Sequence, residues 1–167
     1  MKDRPLSLII LATLLCIALP VSATTDTFSN NYIPKITFSH FSTNEGLSQS
    51  TVVSSCQDKF GRMWFATHDG LNMFDGHRFT IYKNVQKDST SLINNIIRHV
   101  YCDNEGGIWI GTEKGLSYYD ITKDSFRNYP TQNRPVSGIA EAGDEELMIA
   151  AGGNILFFDT ESWTLKT

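Results

Sequence analysis

The histidines, His40, His68, His77 and His99, are the residues best suited to metal or acid–base chemistry. A zinc protease would need H-E-x-x-H on a helix, and a structural zinc site would need closely paired ligands; neither spacing occurs. No G-x-S-x-G elbow is present to expose a nucleophilic serine. The carboxylates that stand out lie in Asp-x-x-Gly segments, Asp58–Gly61 and Asp103–Gly106. These lack the dense oxygen spacing of a calcium loop and read as turns, with Asp accepting backbone N–H bonds and Gly supplying positive φ. A glycosidase would need two carboxylates facing one cleft. Trp64 and Trp109 could stack on sugars, but a ligand platform has no reason to recur in register, so a core role is expected for both. No catalytic residue, metal or cofactor is expected. The net charge of −4, without a basic run, argues against nucleic-acid binding.

These residues gain meaning from a repeat. Aligning Trp64 with Trp109 gives an offset of 109 − 64 = 45 residues. At that offset Asp58/Asp103, Gly61/Gly106, Trp64/Trp109, Thr67/Thr112, Gly70/Gly115, Leu71/Leu116 and Asp75/Asp120 are identical. Apolar positions alternate with a period near 2, the signature of strands. Each copy reads as a first strand (Val52 to Cys56; Ile96 to Tyr101), the Asp-Gly turn, a Trp-bearing strand, a second turn, and two more strands. Four short antiparallel strands in about 45 residues make one propeller blade. A third copy is worn: "MIAAGGNILFFD" aligns under "WFATHDGLNMFD", placing Met148 where Trp stood and predicting a smaller buried residue there.

The expected fold is therefore all-β, a partial propeller of about three four-stranded blades at residues 50–82, 95–129 and 135–167. Phe38 to Phe41 reads F-x-x-F, like the F-x-x-Y of Phe79–Tyr82 and Phe126–Tyr129, and predicts an orphan outer strand at 36–42. Such a strand would complete a three-stranded blade elsewhere in a closed ring, so a longer parent protein is expected. In propellers ligands meet rim loops. The second-to-third-strand turns carry His68, Asp69, Glu113 and Lys114; the connectors 84–94 and 131–135, the latter holding Arg134, should emerge on that rim.

The chain begins with Lys2 and Arg4, an apolar run Leu6 to Leu19, and Val21-Ser22-Ala23. That is signal-peptide grammar, predicting residues 1–23 as a leader and 24–167 as the exported part. The run is short for a membrane span, and Cys16 lacks the small neighbour of a lipoprotein site. Export permits a disulfide between Cys56 and Cys102. In the repeat register, however, Cys56 matches Tyr101 and Cys102 matches Gln57. Adjacent strand positions face opposite ways, so both cysteines are expected to be unpaired small hydrophobes.

"DKFGRMWFATHDGLNMFDG" and "DNEGGIWIGTEKGLSYYD" resemble the two-component regulator propeller repeat, and "FSHFSTNEGLSQSTVVSSCQD" resembles the start of such propellers. The resemblance implies the periplasmic, ligand-sensing region of a hybrid two-component histidine kinase of the Bacteroidetes type. Its parent would be anchored in the inner membrane, carry the kinase and remaining blades, respond to glycan-derived ligands such as oligosaccharides, and could form a homodimer. The competing expectations are a fragment of an exported carbohydrate-active propeller enzyme, lyase or hydrolase, and a non-catalytic adhesion or scaffold propeller.

Overall fold

Strands form where the apolar period is 2, and the two kinds of turn between them carry the repeated Asp and Gly residues. The computed structural model describes residues 36–166; the expected leader at 1–23 lies outside the described residues. Residues 39–167 form one unit, and of the other, residues 1–38, only 36–38 are described. The first sheet runs β1 (Val52–Gln57), β2 (Met63–Thr67), β3 (Gly70–Phe74), β4 (Phe79–Tyr82). The second runs β5 (Ile97–Cys102), β6 (Ile108–Thr112), β7 (Gly115–Asp120), β8 (Ser125–Pro130). The third runs β9 (Val136–Gly143), β10 (Glu146–Ala151), β11 (Asn154–Asp159), β12 (Thr164–Lys166). All neighbours pair antiparallel in chain order, so the fold is all-β and built of three four-stranded propeller blades.

The register is the same in each blade. Trp64 lies opposite Cys56 and Met73, Trp109 opposite Tyr101 and Tyr118, and Met148 opposite Ala140 and Phe157. The blades stack front to back, with β1, β5 and β9 side by side. Between blades one and two, Trp64, Ala66 and Leu71 pack against Ile97, Val100, Ile108, Ile110 and Tyr119. Between blades two and three, Trp109 and Leu116 pack against Val136, Ile139, Leu147, Ile149 and Phe158. The middle blade therefore serves two cores with alternate residues: Ile108 and Ile110 face backward, Trp109 forward. This explains why β6 is buried along its whole length. Trp64 and Trp109 are equivalent and almost fully buried, at 0% and 1% exposure.

Two expectations need correcting. Met148 does not fill a smaller buried site. It faces forward from the third blade, where no described residue covers it, and is 37% exposed beside Phe157 at 39% and Ile155 at 61%. Cys56 and Cys102 are joined by a disulfide, with Cα atoms 5.8 Å apart. Their opposite facing is what the bond requires, because the front of one blade meets the back of the next. Cys56 points forward from β1 and Cys102 points backward from β5. Both pack on the first inter-blade core, whereas Tyr101, the repeat partner of Cys56, packs on the second.

Residues 36–42 pair with no strand among the described residues. Ser42 instead caps a short 3-10 turn, Thr43–Glu45, in a capping box closed by Glu45. Phe41 nevertheless lies 5.0 Å from the ring of Phe74 and 5.7 Å from that of Phe79.

Candidate functional site

Most of the repeated residues are architectural. Asp58 accepts the N–H groups of Phe60 and Arg62, and its second oxygen accepts the Trp64 indole N–H at 2.9 Å and the Arg62 Nε–H at 2.7 Å. Asp103 likewise accepts from Gly107 N–H and from the Trp109 indole at 2.8 Å. Burial pushes the Asp58 carboxyl upward, but the bonds from Trp64 and Arg62 outweigh it and hold the group below its ordinary range. Thr67 and Thr112, both fully buried, close the next turn: each hydroxyl donates to the carbonyl of Gly70 or Gly115 at 2.9 Å and accepts the N–H two residues on. Gly70 and Gly115 have φ of 114° and 154°, and a side chain there would meet the carbonyl oxygen of Tyr82 or Tyr129 at 2.7 or 2.5 Å.

Residues that differ between the copies line the rim made by these second turns and the connectors. Gly70 N–H donates to Asn95, Glu113 N–H to Ile96, and Thr131 N–H to Lys114, all through main-chain oxygens, so turns and connectors are laced together. His68 and Lys114 are exposed there; Asp69, Glu113 and Arg134 are half-buried. Asp69 accepts from Lys83 Nζ at 2.7 Å, and Glu113 accepts from Arg98 Nε at 2.6 Å. These two carboxylates are thus occupied by local ion pairs rather than turned toward one point. Arg134 lines a cavity of about 450 Å³ with Pro130, Thr131, Gln132, Leu156 and Leu165. Gln132 and Asn133 both adopt left-handed backbone, with φ of 56° and 61°, and the Thr131 hydroxyl ties the loop by donating to Arg134 O at 2.6 Å. A guanidinium, an amide and a hydroxyl beside leucine and proline can hydrogen-bond and pack against a small polar ligand.

The first connector is less available than its polarity suggests. Its middle lies along β8: Phe126 N–H donates to Thr90 O at 2.7 Å, and Asn128 Nδ2 donates to Ser89 O and Ser91 O. Leu92 is fully buried. The connector's two ends meet at the rim, where Asn84 N–H donates to Asn95 Oδ1 at 2.6 Å and Asn95 O accepts Gly70 N–H.

The opposite rim holds a larger cavity, about 1010 Å³, which the sequence reading did not single out. It lies between blades two and three, bounded by the Asp-Gly turns and the third-to-fourth-strand turns. Carboxylates dominate it: Asp103, Glu105, Glu141, Asp144, Glu145, Glu146 and Glu161, with Lys59 the single basic lining residue. The run Gly143-Asp144-Glu145-Glu146 was visible in the sequence, but the stacking that sets it beside Glu105 was not. Such a surface repels anions. Among the described residues no three or more His, Cys, Asp or Glu are arranged to hold a metal ion.

Residues 46–69 and 91–114 match the two-component regulator propeller family. A histidine kinase of Formosa agariphila is 54% identical over 55 residues, covering 33% of this chain and 4% of the kinase. Two solved structures of one extracellular domain from B. thetaiotaomicron superpose over 67% of this chain and 17% of theirs, each with a TM-score of 0.55, at 27% and 25% identity. One is described as part of a hybrid two-component system and the other of a one-component system. A second extracellular domain from that organism, of a hybrid two-component system, covers 77% of this chain and 26% of its own, with a TM-score of 0.49 and 23% identity. The chain thus spans a quarter or less of two of these proteins and little more of the third. The family match falls on the first two strands and second turns of blades one and two, and the likeness of both sequence and blades is to two-component regulator propeller repeats.

Proposed function

We propose that these blades are part of the periplasmic ligand-sensing region of a two-component sensor, and that a glycan-derived ligand such as an oligosaccharide engages the rim bearing His68, Lys114 and Arg134. The observation that carries this reading is the division of labour along the repeat. The identical residues, from Asp58 to Asp75 and from Asp103 to Asp120, form turns, cores and close contacts. Where the second turns differ, His68 and Asp69 in one copy and Glu113 and Lys114 in the other, the side chains are left exposed or half-buried on one rim. The Arg134 cavity, at about 450 Å³, is of the size that holds a small polar ligand. The parent would supply a membrane segment, the kinase and further blades; among the described residues no helix is long and apolar enough to cross a membrane.

The test is a thermal-shift and calorimetric screen of the chain against oligosaccharides of varied backbone and charge. One class of oligosaccharide should raise the melting temperature, and Arg134→Ala should abolish that rise without lowering the unliganded melting temperature by more than about 2 °C, as for a surface change. Absence of any stabilising oligosaccharide, or binding unchanged in a His68→Ala/Arg134→Ala variant, would contradict the assignment.

A further inference from the structure

The innermost strands place an equivalent pair of side chains at both inter-blade junctions. Cys56 lies opposite Trp64 and Tyr101 opposite Trp109, so these two residues are equivalent. Cys102 lies opposite Ile108 and Glu141 opposite Leu147, so those two are equivalent as well. At the first junction the pair is a disulfide. The equivalent pair at the second junction is Tyr101 and Glu141, and burial first, then the nearby Glu141, pushes the Tyr101 hydroxyl up to about 12. The covalent tie belongs to the first junction, and the second carries a tyrosine and a carboxylate in its place.

Around the disulfide the junction holds polar contacts beside its apolar core. Val100 N–H donates to Ser54 Oγ at 3.2 Å, and Lys59 Nζ donates to Glu105 O at the junction's edge. Both cysteines are half-buried rather than sealed in the core, so a small thiol or disulfide can approach them.

We propose that Cys56–Cys102 is a redox-controlled staple: open while the chain is in a reducing compartment, closed after export, and when closed adding a covalent tie to the core that blade one shares with blade two. Closure needs a donor disulfide, either a small-molecule disulfide or a thiol oxidoreductase. The thiolate of one cysteine attacks the donor, forming a mixed disulfide and releasing one donor thiolate. The second cysteine's thiolate then displaces the other donor sulfur. Two electrons pass to the donor, and the two protons lost by the cysteines are taken up by its thiols. The proposal does not depend on any ligand at the rim.

Tryptic mapping of the unreduced chain, with free thiols blocked by alkylation, tests closure. The expected product is a linked pair of peptides, residues 36–59 and 99–114. Hydrogen exchange of the intact chain then tests the consequence. A dithiol reductant should speed exchange in β1 and β5 by a factor of about 10 or more, given the usual worth of a disulfide, while leaving β10 and β11 unchanged. A Cys56→Ser/Cys102→Ser variant should match the reduced chain with or without reductant; if it fails to fold, reduction of the natural chain remains decisive. Free, alkylated Cys56 and Cys102 under oxidising conditions, or exchange in β1 and β5 indifferent to reduction, would overturn the proposal.

Discussion

Asp58 and Asp103 link three functions in one side chain: each closes a turn, receives a tryptophan indole N–H, and so fixes the ring that the next blade must cover. This is the physical content of the D-x-x-G-x-x-W spacing. Trp109→Ala should cost about 3–5 kcal/mol, the range for emptying a large aromatic site in a core. Met148→Ala, at the equivalent but uncovered position, should cost less than about 1 kcal/mol, because little burial is lost. Chemical denaturation of both variants checks the contrast. The carboxylates of Asp58 and Asp120 set an acid limit. Asp120 is lowered to about 2, chiefly by the Thr122 hydroxyl bond and then by the Lys123 ammonium, with burial opposing; Asp58 is also lowered. Their folded values lie below the unfolded 3.8, so the stability they contribute is present above pH 4 and lost as the pH falls toward 2. A pH series of melting temperatures should fall steeply in that window; in Asp58→Asn part of that fall should be missing.

At the level of strands, one aromatic contact recurs three times. The last residue of each F-x-x-[FY] segment meets the third-strand aromatic of the following blade: Phe41 on Phe74 at 5.0 Å, Tyr82 on Tyr119 at 5.2 Å, and Tyr129 on Phe158 at 4.7 Å. Phe41 thus stands toward blade one as β4 stands toward blade two, although its segment pairs with no strand. Close approach of the outer strand also accounts for the turn glycines. Gly115→Ala places a Cβ 2.5 Å from Tyr129 O at a left-handed φ, and should cost about 1–3 kcal/mol. Gly143→Ala has open space around it and should be near neutral. Equilibrium unfolding of the two variants distinguishes them. Strands and turns were legible in the sequence because alternation, Asp, Gly and Thr are local signals. The disulfide was misread for a non-local reason: whether two side chains meet depends on which faces the stacked blades turn toward each other, and facing within one repeat says nothing of that.

Among the described residues the three blades form a stack in which the middle one alone has both faces covered. The sequence revealed the blades and offered His68, Asp69, Glu113, Lys114 and Arg134 as rim candidates. It could not reveal that Asp69 and Glu113 are held by Lys83 and Arg98, or that residues 89–91 lie along β8. Those contacts join segments whose spacing carries no motif. Nor could it reveal the acidic cavity on the opposite rim, which exists only once blades two and three are set together. Phe41, at 42% exposure, and the forward face of Met148, Ile155 and Phe157 mark where the stacking is unfinished among the described residues. Strand-resolved hydrogen exchange of the intact, oxidised chain tests this front-to-back stack most directly. Protection should peak in β6 and β7 of the middle blade, with β11, β12 and residues 39–42 exchanging fastest. Equal protection in all three blades, or a maximum in the third, would contradict the stack and its two open faces.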